Sequence, residues 1–344
     1  MAVLSTPTVA LRLNMTGIPG VTTGQADRYR AALEMAAYAD EHGFAAVNCE
    51  EHHLARNGWL PSPLILAAAV AARTRRVRIN IAALLVPLYD PVRLAEDIAV
   101  LDNISDGRFS FVAGVGYRPE EYHAVGRQWH RRGRSMDESL RVMLAAWGPE
   151  PFEYGGRTID VTPKPVTRPH PLFFIGGMSP AAARRAARFG VPFYPPMPMP
   201  ELEQLYHDEL RANGTSGFVF SPGRGNTMTL VHPDPDAAWE RYFPYLINET
   251  AEYSTWRTAE VARPHEDEAE SMQQLRDSGK FEILTPQECE HRIRTGAMTE
   301  IVVNPLVGGL PIEEGWKTLR LLAEQVLPRC TTPTADGVLP DLRR

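Results

Sequence analysis

Two carboxylates and two imidazoles follow one another in the segment Glu50–His53, directly after a short apolar run that ends at Cys49. A neutral imidazole can act as a general base near pH 7. Because adjacent residues on an extended chain point to opposite sides, we expect only one of His52 and His53 to face a site. The alternative is a hydrogen-bonded histidine that only orients the loop.

A second candidate site is the turn Gly176–Pro180, which joins a predicted strand to a predicted helix. Ser179 is placed as the N-cap and Pro180 as the first helical residue. Glycine lets a ligand approach the backbone closely, and the N–H groups at a helix N-terminus attract anions. The turn suits a phosphate held by Gly177, Met178 and Ser179, although such caps are also common without a ligand.

Small residues end two further predicted strands. The segment Gly114–Tyr117 has no bulk before its tyrosine, so a flat ring could lie against the backbone. The pair Ala82-Ala83 ends the preceding strand. A tight turn is the alternative for the first segment, and core packing explains the second equally well. The candidate cofactor-binding residues at these two ends are Ala82, Ala83, Gly114, Gly116 and Tyr117.

Charge and cysteine content argue against several classes of protein. The net charge is −6, which disfavours a nucleic-acid binder that acts through broad electrostatics. The three cysteines are widely spaced, so a disulfide framework is not expected. A metal site needs three or four convergent ligands, whereas the other strand ends offer only His232. We therefore expect no metal, which disfavours metal-dependent hydrolysis.

These strand ends belong to a repeating strand–helix pattern. Apolar runs predict eight strands, namely Val9–Asn14, Ala45–Cys49, Val77–Leu84, Phe109–Val115, Leu172–Ile175, Val191–Tyr194, Asn226–Val231 and Glu300–Asn304. A helix pattern follows each strand, and the fourth helix is predicted to open at the capping box of Ser135 and Glu138. Such alternation implies parallel pairing. We expect an α/β fold, a closed (β/α)8 TIM barrel, with an open doubly wound sheet as the alternative.

A barrel of this kind can occupy most of the 344 residues as one domain. We expect that domain over residues 1–330, with insertions at its C-terminal face at about 118–134 and 250–290, and a flexible tail over 331–344. The sequence has neither an apolar run of about 18 residues nor a basic region followed by an apolar one at its start. We therefore expect a cytoplasmic protein with no membrane partner.

Together these features resemble the bacterial luciferase family of flavin-dependent monooxygenases. The resemblance covers roughly residues 1–235 and 300–328, and its most specific part runs from Pro91 to Phe109. The matching stretches are Glu51–His53 with Gly58, Ala82-Ala83, Pro91–Asp97, Leu101-Asp102, Gly107–Phe109, Gly114–Glu121, Gly177 with Ser179, and Ala186–Gly190.

The resemblance implies a (β/α)8 barrel that takes reduced FMN from a separate NAD(P)H:flavin reductase and uses molecular oxygen to oxidise a small-molecule substrate. By position, His52 matches the catalytic histidine of the family, with His53 beside it. Ala82-Ala83 matches a pair joined by a non-proline cis peptide under the flavin ring, and Ser179 matches a phosphate contact. Relatives also pair as homodimers, so we expect a homodimer.

One departure from the family concerns the phosphate site. The luciferases carry a Cys-Arg pair where this chain has Gly114-Val115, which argues against light emission. Arg118, Arg184 and Arg185 are the candidates to replace the missing arginine, and the sequence does not choose among them.

Two alternatives stay open on the same fold. One is a deazaflavin-dependent oxidoreductase that transfers hydride, and the other is a flavin-binding barrel without catalysis. An apolar substrate would need an apolar pocket. The residues that could line it are Trp59, Phe193, Tyr194, Met197, Met199 and Trp256.

Overall fold

A computed structural model describes residues 7–221, 227–256 and 269–330 of the chain. Nine strands form its central sheet, and a short hairpin lies outside it. The strands of the central sheet are β1 (Thr8–Leu13), β2 (Ala46–Cys49), β3 (Arg78–Leu84), β4 (Phe109–Ala113), β7 (Leu172–Gly176), β8 (Phe193–Tyr194), β9 (Met228–Val231), β10 (Phe281–Leu284) and β11 (Glu300–Val303), and the hairpin is formed by β5 (Phe152–Tyr154) and β6 (Arg157–Ile159).

Helices connect these strands. In chain order they are α1 (Gln25–Glu41), α2 (Pro63–Arg73), α3 (Pro91–Ser105), α4 (Pro119–Ala124), α5 (Arg132–Trp147), α6 (Pro180–Phe189), α7 (Pro200–Asn213), α8 (Pro235–Thr255), α9 (Met272–Asp277), α10 (Pro286–Arg294), α11 (Ile312–Arg320) and α12 (Leu327–Cys330). A π-helical turn, Leu321–Val326, joins the last two. Within the described ranges, no helix is long and apolar enough to cross a bilayer.

The order of strands in the sheet is β10-β9-β11-β1-β2-β3-β4-β7-β8, and every pairing in it is parallel. The last strand along the chain, β11, pairs with the first, β1, in the register Leu11↔Val303. A sheet whose last strand returns to its first is wrapping into a barrel rather than staying open. The predicted α/β class and the predicted strands are confirmed, with ends that shift by a few residues.

The strand β10 was not predicted and lies inside the expected insertion at 250–290. It pairs with β9 in the register Phe281↔Met228 to Leu284↔Val231, so it extends the central sheet. Helix α8, which follows β9, extends to Thr255, beyond the Asp236–Ile247 that its sequence pattern predicts. Residues 257–268 of the expected insertion, and the whole of the expected tail at 331–344, lie outside the described residues.

The predicted start of the fourth helix, at Ser135, is wrong. Helix α5 begins at Arg132, because a 3-10 turn over Trp129–Arg131 leads straight into it. The guanidinium of Arg132 lies 3.8 Å from the centroid of the Trp129 ring, which packs edge-on against Tyr122. This packing fixes the entry of the chain, and Ser135 therefore lies inside the first turn instead of capping it.

Alternation along the strands separates the inside of the sheet from the outside. Phe173 of β7 contacts Trp147 of α5, with ring centroids 6.2 Å apart, so its side chain faces the outer helices. Phe193 of β8 likewise contacts Tyr206 of α7, at 5.8 Å. Their neighbours Phe174 and Tyr194 must then face the interior. The carboxyl ends of the parallel strands lie together, and the candidate residues that follow β2, β3, β4 and β7 are brought to that end.

Candidate active site

The segment after β2 is anchored by Glu51, whose side chain is buried. One carboxylate oxygen, Oε2, accepts a hydrogen bond from the backbone N–H of Leu85, just beyond β3, at 2.6 Å. The other, Oε1, accepts from the hydroxyl of Tyr89 and lies 2.9 Å from Nε2 of His53. The carboxylate therefore links the segment after β2 to the segment after β3 and holds the imidazole of His53.

The two histidines of this segment are held by different carboxylates. His53 is partly exposed, and its hydrogen bond with Glu51 raises the pKa of its imidazole, against the opposing effect of burial. His52 is only 7% exposed, and its Nδ1 lies 3.1 Å from Oε1 of Glu121. The two imidazoles therefore contact different carboxylates.

His52 lies among aromatic side chains. Its ring centroid is 5.1 Å from that of Trp59 and 4.5 Å from that of Trp256 at the end of α8. Its Nε2 lies 3.0 Å from the hydroxyl of Tyr117, whose ring approaches it edge-on. Each nitrogen of the imidazole therefore has a hydrogen-bonding partner of known identity.

Glu121 is a central residue of the site to which the sequence analysis gave no role. It is fully buried, and its Oε1 accepts hydrogen bonds from the backbone N–H of His53 at 2.9 Å and from Nη1 of Arg118 at 3.2 Å. Burial alone would raise the pKa of Glu121, but the hydrogen bonds from His52 and His53 and the charge of Arg118 outweigh it and lower the pKa. The carboxyl group is thus held in its ionised form.

Arg118 joins the carboxylate to the aromatic residues. It is buried and donates to the backbone carbonyl of His53 at 2.5 Å as well as to Glu121. Its guanidinium carbon lies 4.1 Å from the centroid of the Trp256 ring, within the range of a cation–π contact. Arg118 is therefore committed to the His52–Glu121 region, away from the turn after β7.

The ends of β3 and β4 meet in a surface of small residues. The Ala82–Ala83 peptide bond is cis, as the resemblance implies. A Cβ atom added to Gly114 would lie 2.9 Å from the Cβ of Ala83, which is too close for a real side chain. Gly116 has a φ of +70°, a conformation that favours glycine and directs the chain into Tyr117. The ends of β3 and β4 therefore pack closely through small residues, just before Tyr117 in the chain.

The turn after β7 has the predicted geometry. Ser179 is the N-cap of α6, with its side chain accepting from the N–H of Ala182 at 3.3 Å, and Pro180 is the first helical residue. Gly177 has a φ of +147°, and a Cβ on it would lie 2.8 Å from the Cβ of Ala182. Met178 lies between these two residues. The N–H of Gly177 donates to the carbonyl of Tyr194 at 3.4 Å and that of Ala182 is capped by Ser179, so among the described residues the N–H groups of Met178, Ser179 and Ala181 remain at the turn.

The two arginines of α6 are held by carboxylates. Nε of Arg184 lies 3.2 Å from Glu209 of α7, and Nε of Arg185 lies 2.5 Å from Asp137 of α5. Arg185 also donates to the backbone carbonyl of Gly133 at 3.2 Å. Both arginines therefore pair with carboxylates of neighbouring helices.

A polar network inside the sheet was also missed by the sequence analysis. Arg12 of β1 forms ion pairs with Glu50, after β2, and with Glu249 of α8. Glu249 is fully buried and accepts from the side-chain amide of Asn14 and from the hydroxyl of Thr16. The network places paired charged side chains in the interior of the sheet.

His232, the remaining histidine at a predicted strand end, is separate from this cluster. Its Nε2 lies 2.7 Å from Nζ of Lys317 in α11, and burial lowers the pKa of its imidazole. In the ranges 7–221, 227–256 and 269–330, no three His, Cys, Asp or Glu side chains converge as ligands for a metal ion.

The expected apolar lining is only partly present. Trp59 and Trp256 contact His52, whereas Phe193 faces the outer helix α7 and does not line the interior. Tyr194 does face the interior, and burial raises its pKa to about 12. The aromatic residues near it were not predicted: Phe174 and Phe220 contact Tyr194, and Phe218 contacts Phe174, with ring centroids 5.5–6.0 Å apart.

Comparison with known proteins defines the class. Residues 13–302 match the family described as luciferase-like monooxygenase, and the chain belongs to that family. The fold is accordingly the TIM barrel of luciferase-like monooxygenases, with the additional strand β10. The resemblance seen in the sequence is confirmed.

Three individual relatives share at most about a third of their residues with this chain over the matched segments. The FMNH(2)-dependent dimethylsulfone monooxygenase of Pseudomonas putida is 33% identical over 131 residues, which are 36% of each chain. The oxygenase component of the flavin-dependent trigonelline monooxygenase of Acinetobacter baylyi is 25% identical over 173 residues, 48% of each chain. The chain spans about half the length of the curated relatives it matches. The solved structure of monooxygenase RslO1 from Streptomyces bottropensis is 25% identical with a TM-score of 0.72, covering 94% of this chain and 100% of that one.

Proposed function

We propose that this protein is the oxygenase of a two-component system, which uses reduced FMN and molecular oxygen to oxidise a small apolar organic substrate. The observation that carries the proposal is the arrangement of His52. A proton-transfer group is held by a buried carboxylate, Glu121, beside the flat surface formed by Ala83 and Gly114. Membership of the luciferase-like monooxygenase family gives the class of chemistry.

The residues present fit a flavin mononucleotide in two places. Gly114 has no room for a side chain against Ala83, so the ends of β3 and β4 offer a flat surface to a ring system. Gly177 leaves room for a ligand to approach the turn, and the N-terminus of α6 offers backbone N–H groups to a phosphate. We therefore assign Ala82, Ala83, Gly114, Gly116 and Tyr117 to the ring, and Gly177, Met178 and Ser179 to the phosphate.

The residues around His52 have separate roles in this proposal. Reduced FMN, when bound, supplies the electrons that activate oxygen. His52 holds or moves a proton, and Glu121 fixes the orientation of its ring. His53 stands beside it, tied to Glu51, and stabilises the segment after β2. Trp59 and Trp256 exclude water from the imidazole.

An apolar substrate is supported by the interior aromatic residues. Phe174 and Tyr194 face the interior, and Phe218 and Phe220, each 46% exposed, pack their rings against them. Exposed aromatic rings on the inside of a barrel offer an apolar contact surface to a ligand. We infer that the substrate presents an apolar body to these rings.

Two protein partners belong to the same proposal. Relatives whose names specify FMNH(2) or an oxygenase component support a separate flavin reductase as the source of reduced flavin. A homodimer is supported by apolar side chains that point to solvent on α2 and α3. Ile65 of α2 is 74% exposed, and Val100 and Ile104 of α3 are 43% and 47% exposed.

A turnover experiment tests the proposal. The protein is supplied with FMN, NADH, a flavin reductase and isotopically labelled oxygen, and is offered a panel of apolar aldehydes, ketones and aromatic compounds. We expect one labelled oxygen atom in a product, and we expect His52→Ala to abolish that product while flavin still binds. Hydride transfer from reduced deazaflavin without oxygen incorporation would favour the alternative oxidoreductase. Flavin binding with no turnover of any kind would favour a barrel without catalysis.

A further inference from the structure

The hydrogen bonds of His52 define which of its nitrogens carries the proton. Glu121 is ionised and can only accept, so Nδ1 of His52, 3.1 Å away, must be the protonated nitrogen. In the neutral ring the lone pair then lies on Nε2. The hydroxyl of Tyr117 lies 3.0 Å from that nitrogen and donates its proton to it. The order of groups is carboxylate, imidazole, phenol.

Tyr117 is the more exposed end of this series of hydrogen-bonded groups. His52 is only 7% exposed and is covered by Trp59 and Trp256, whereas Tyr117 is half-buried. Tyr117 also directly follows Gly116 and lies three residues after Gly114, so its backbone is close in sequence to the small residues that follow β4. The hydrogen bond between His52 and Tyr117 provides a route for a proton from the imidazole through the phenol.

We propose that Tyr117 is the catalytic acid and base of the site, that His52 is the relay behind it, and that Glu121 is a positioning residue. From the neutral state of His52, Nε2 takes the phenolic proton of Tyr117 while the phenolate oxygen takes a proton from a ligand. The reverse transfers return a proton to a ligand oxygen that gains negative charge: the phenol gives up its proton, its oxygen takes the Nε2 proton, and His52 is neutral again. The identity of the ligand in this step rests on the proposed function, whereas the order of the hydrogen bonds is independent of that function.

A second tyrosine in the same region has the opposite arrangement and serves as a control. The hydroxyl of Tyr89 donates to the carboxylate of Glu51, which also holds Nε2 of His53. A phenol that donates to a carboxylate is not connected to an imidazole lone pair. Tyr89→Phe and Tyr117→Phe each remove one phenolic oxygen. Only the oxygen of Tyr117 belongs to the proposed relay.

Nitrogen NMR of the flavin-free protein tests the arrangement. The probes are the imidazole ¹⁵N resonances, assigned with His52→Asn and His53→Asn, at a pH where both rings are neutral. We expect His52 to carry its proton on Nδ1, and Tyr117→Phe to move the Nε2 resonance toward that of a nitrogen without a hydrogen bond. We expect Tyr89→Phe to leave the His52 resonances unchanged. A proton on Nε2, or an unchanged Nε2 resonance in Tyr117→Phe, would overturn the relay.

Kinetics of reduced FMN with oxygen give a second readout. Removing a general acid typically costs at least about 100-fold in a proton-dependent step. We expect Tyr117→Phe to slow the proton-dependent phase of flavin reoxidation by about that factor and to lose its solvent deuterium isotope effect, while Tyr89→Phe retains both. Wild-type kinetics in Tyr117→Phe would refute the catalytic role and leave the proposed function intact. If the protein fails to bind reduced FMN, the proposed function fails, and the NMR result still decides the relay.

Discussion

Replacing Glu121 by glutamine tests the idea that one buried carboxylate organises the site. The substitution Glu121→Gln keeps the shape of the side chain and removes its charge. A glutamine carbonyl can still accept from His52, from the N–H of His53 and from Arg118, but these become bonds to a neutral acceptor. The buried Oε2 position has no hydrogen-bond partner among the described residues, so a glutamine amide placed there would be an unsatisfied donor.

The structure sets the size of the expected effect. Removing one partner of a buried charged pair costs about 3–5 kcal/mol, and an unsatisfied buried donor costs about 1–3 kcal/mol. Because Arg118 keeps its bond to the carbonyl of His53, we expect a loss near the lower end, about 3 kcal/mol, in the free energy of unfolding. Urea denaturation of the flavin-free protein measures it. Glu120→Gln, at the exposed neighbouring position, is the control and should change stability by less than about 0.5 kcal/mol.

The lowered pKa of Glu121 also predicts how the stability difference changes with pH. The pKa of Glu121 is lowered in the folded protein, so the carboxylate stabilises the fold above its unfolded pKa of about 4.3, and this contribution is lost as the pH falls through the folded value. The stability difference between wild type and Glu121→Gln should therefore be largest near neutral pH and shrink below about pH 4. A difference under about 1 kcal/mol at neutral pH, or one that grows in acid, would refute the reasoning.

Three further predictions concern the neighbouring residues. His53→Gln should have a lower free energy of unfolding than wild type mainly below the unfolded histidine pKa of about 6.5, and the difference should disappear as the pH rises through the raised pKa of the folded protein. Urea denaturation at several pH values measures this difference. A loss of the same size at high pH would contradict the prediction. Gly114→Ala should destabilise the fold by about 1–3 kcal/mol, because the new Cβ would lie 2.9 Å from the Cβ of Ala83. The same substitution should weaken FMN binding at least tenfold in fluorescence titrations. An unchanged affinity for FMN would exclude the ends of β3 and β4 as the binding site of the flavin ring. Ser179→Ala should cost about 1 kcal/mol through loss of the N-cap and should narrow the preference for FMN over riboflavin, and an unchanged preference would remove Ser179 from the phosphate site.

The sequence predicted the parts of the fold whose signals are local. The strands at Thr8–Leu13 and Phe109–Ala113 are short apolar runs, and the cap at Ser179-Pro180 depends only on adjacent residues. The strand Phe281–Leu284 was missed because it has four residues, one of them Glu282, after a strongly charged stretch. Ser135 has the spacing of a cap, but the packing of Trp129 starts the helix earlier.

The site was predicted in its residue types but not in its pairings. His52 and His53 were singled out, whereas the carboxylate that holds His52 lies 69 residues further along the chain. The carboxylate of the interior network, Glu249, lies 235 residues from its partner Asn14. Such pairs depend on which strand ends and helices the barrel brings together, and a hydrophobic period or a capping rule carries no information about them.

The central claim is that the protein binds reduced FMN and controls its reaction with oxygen. The most direct measurement loads the protein with reduced FMN without oxygen, mixes it rapidly with oxygenated buffer and follows the flavin absorbance. We predict a flavin species that persists well beyond the reoxidation of free reduced FMN. Reoxidation at the rate of free flavin would contradict the account.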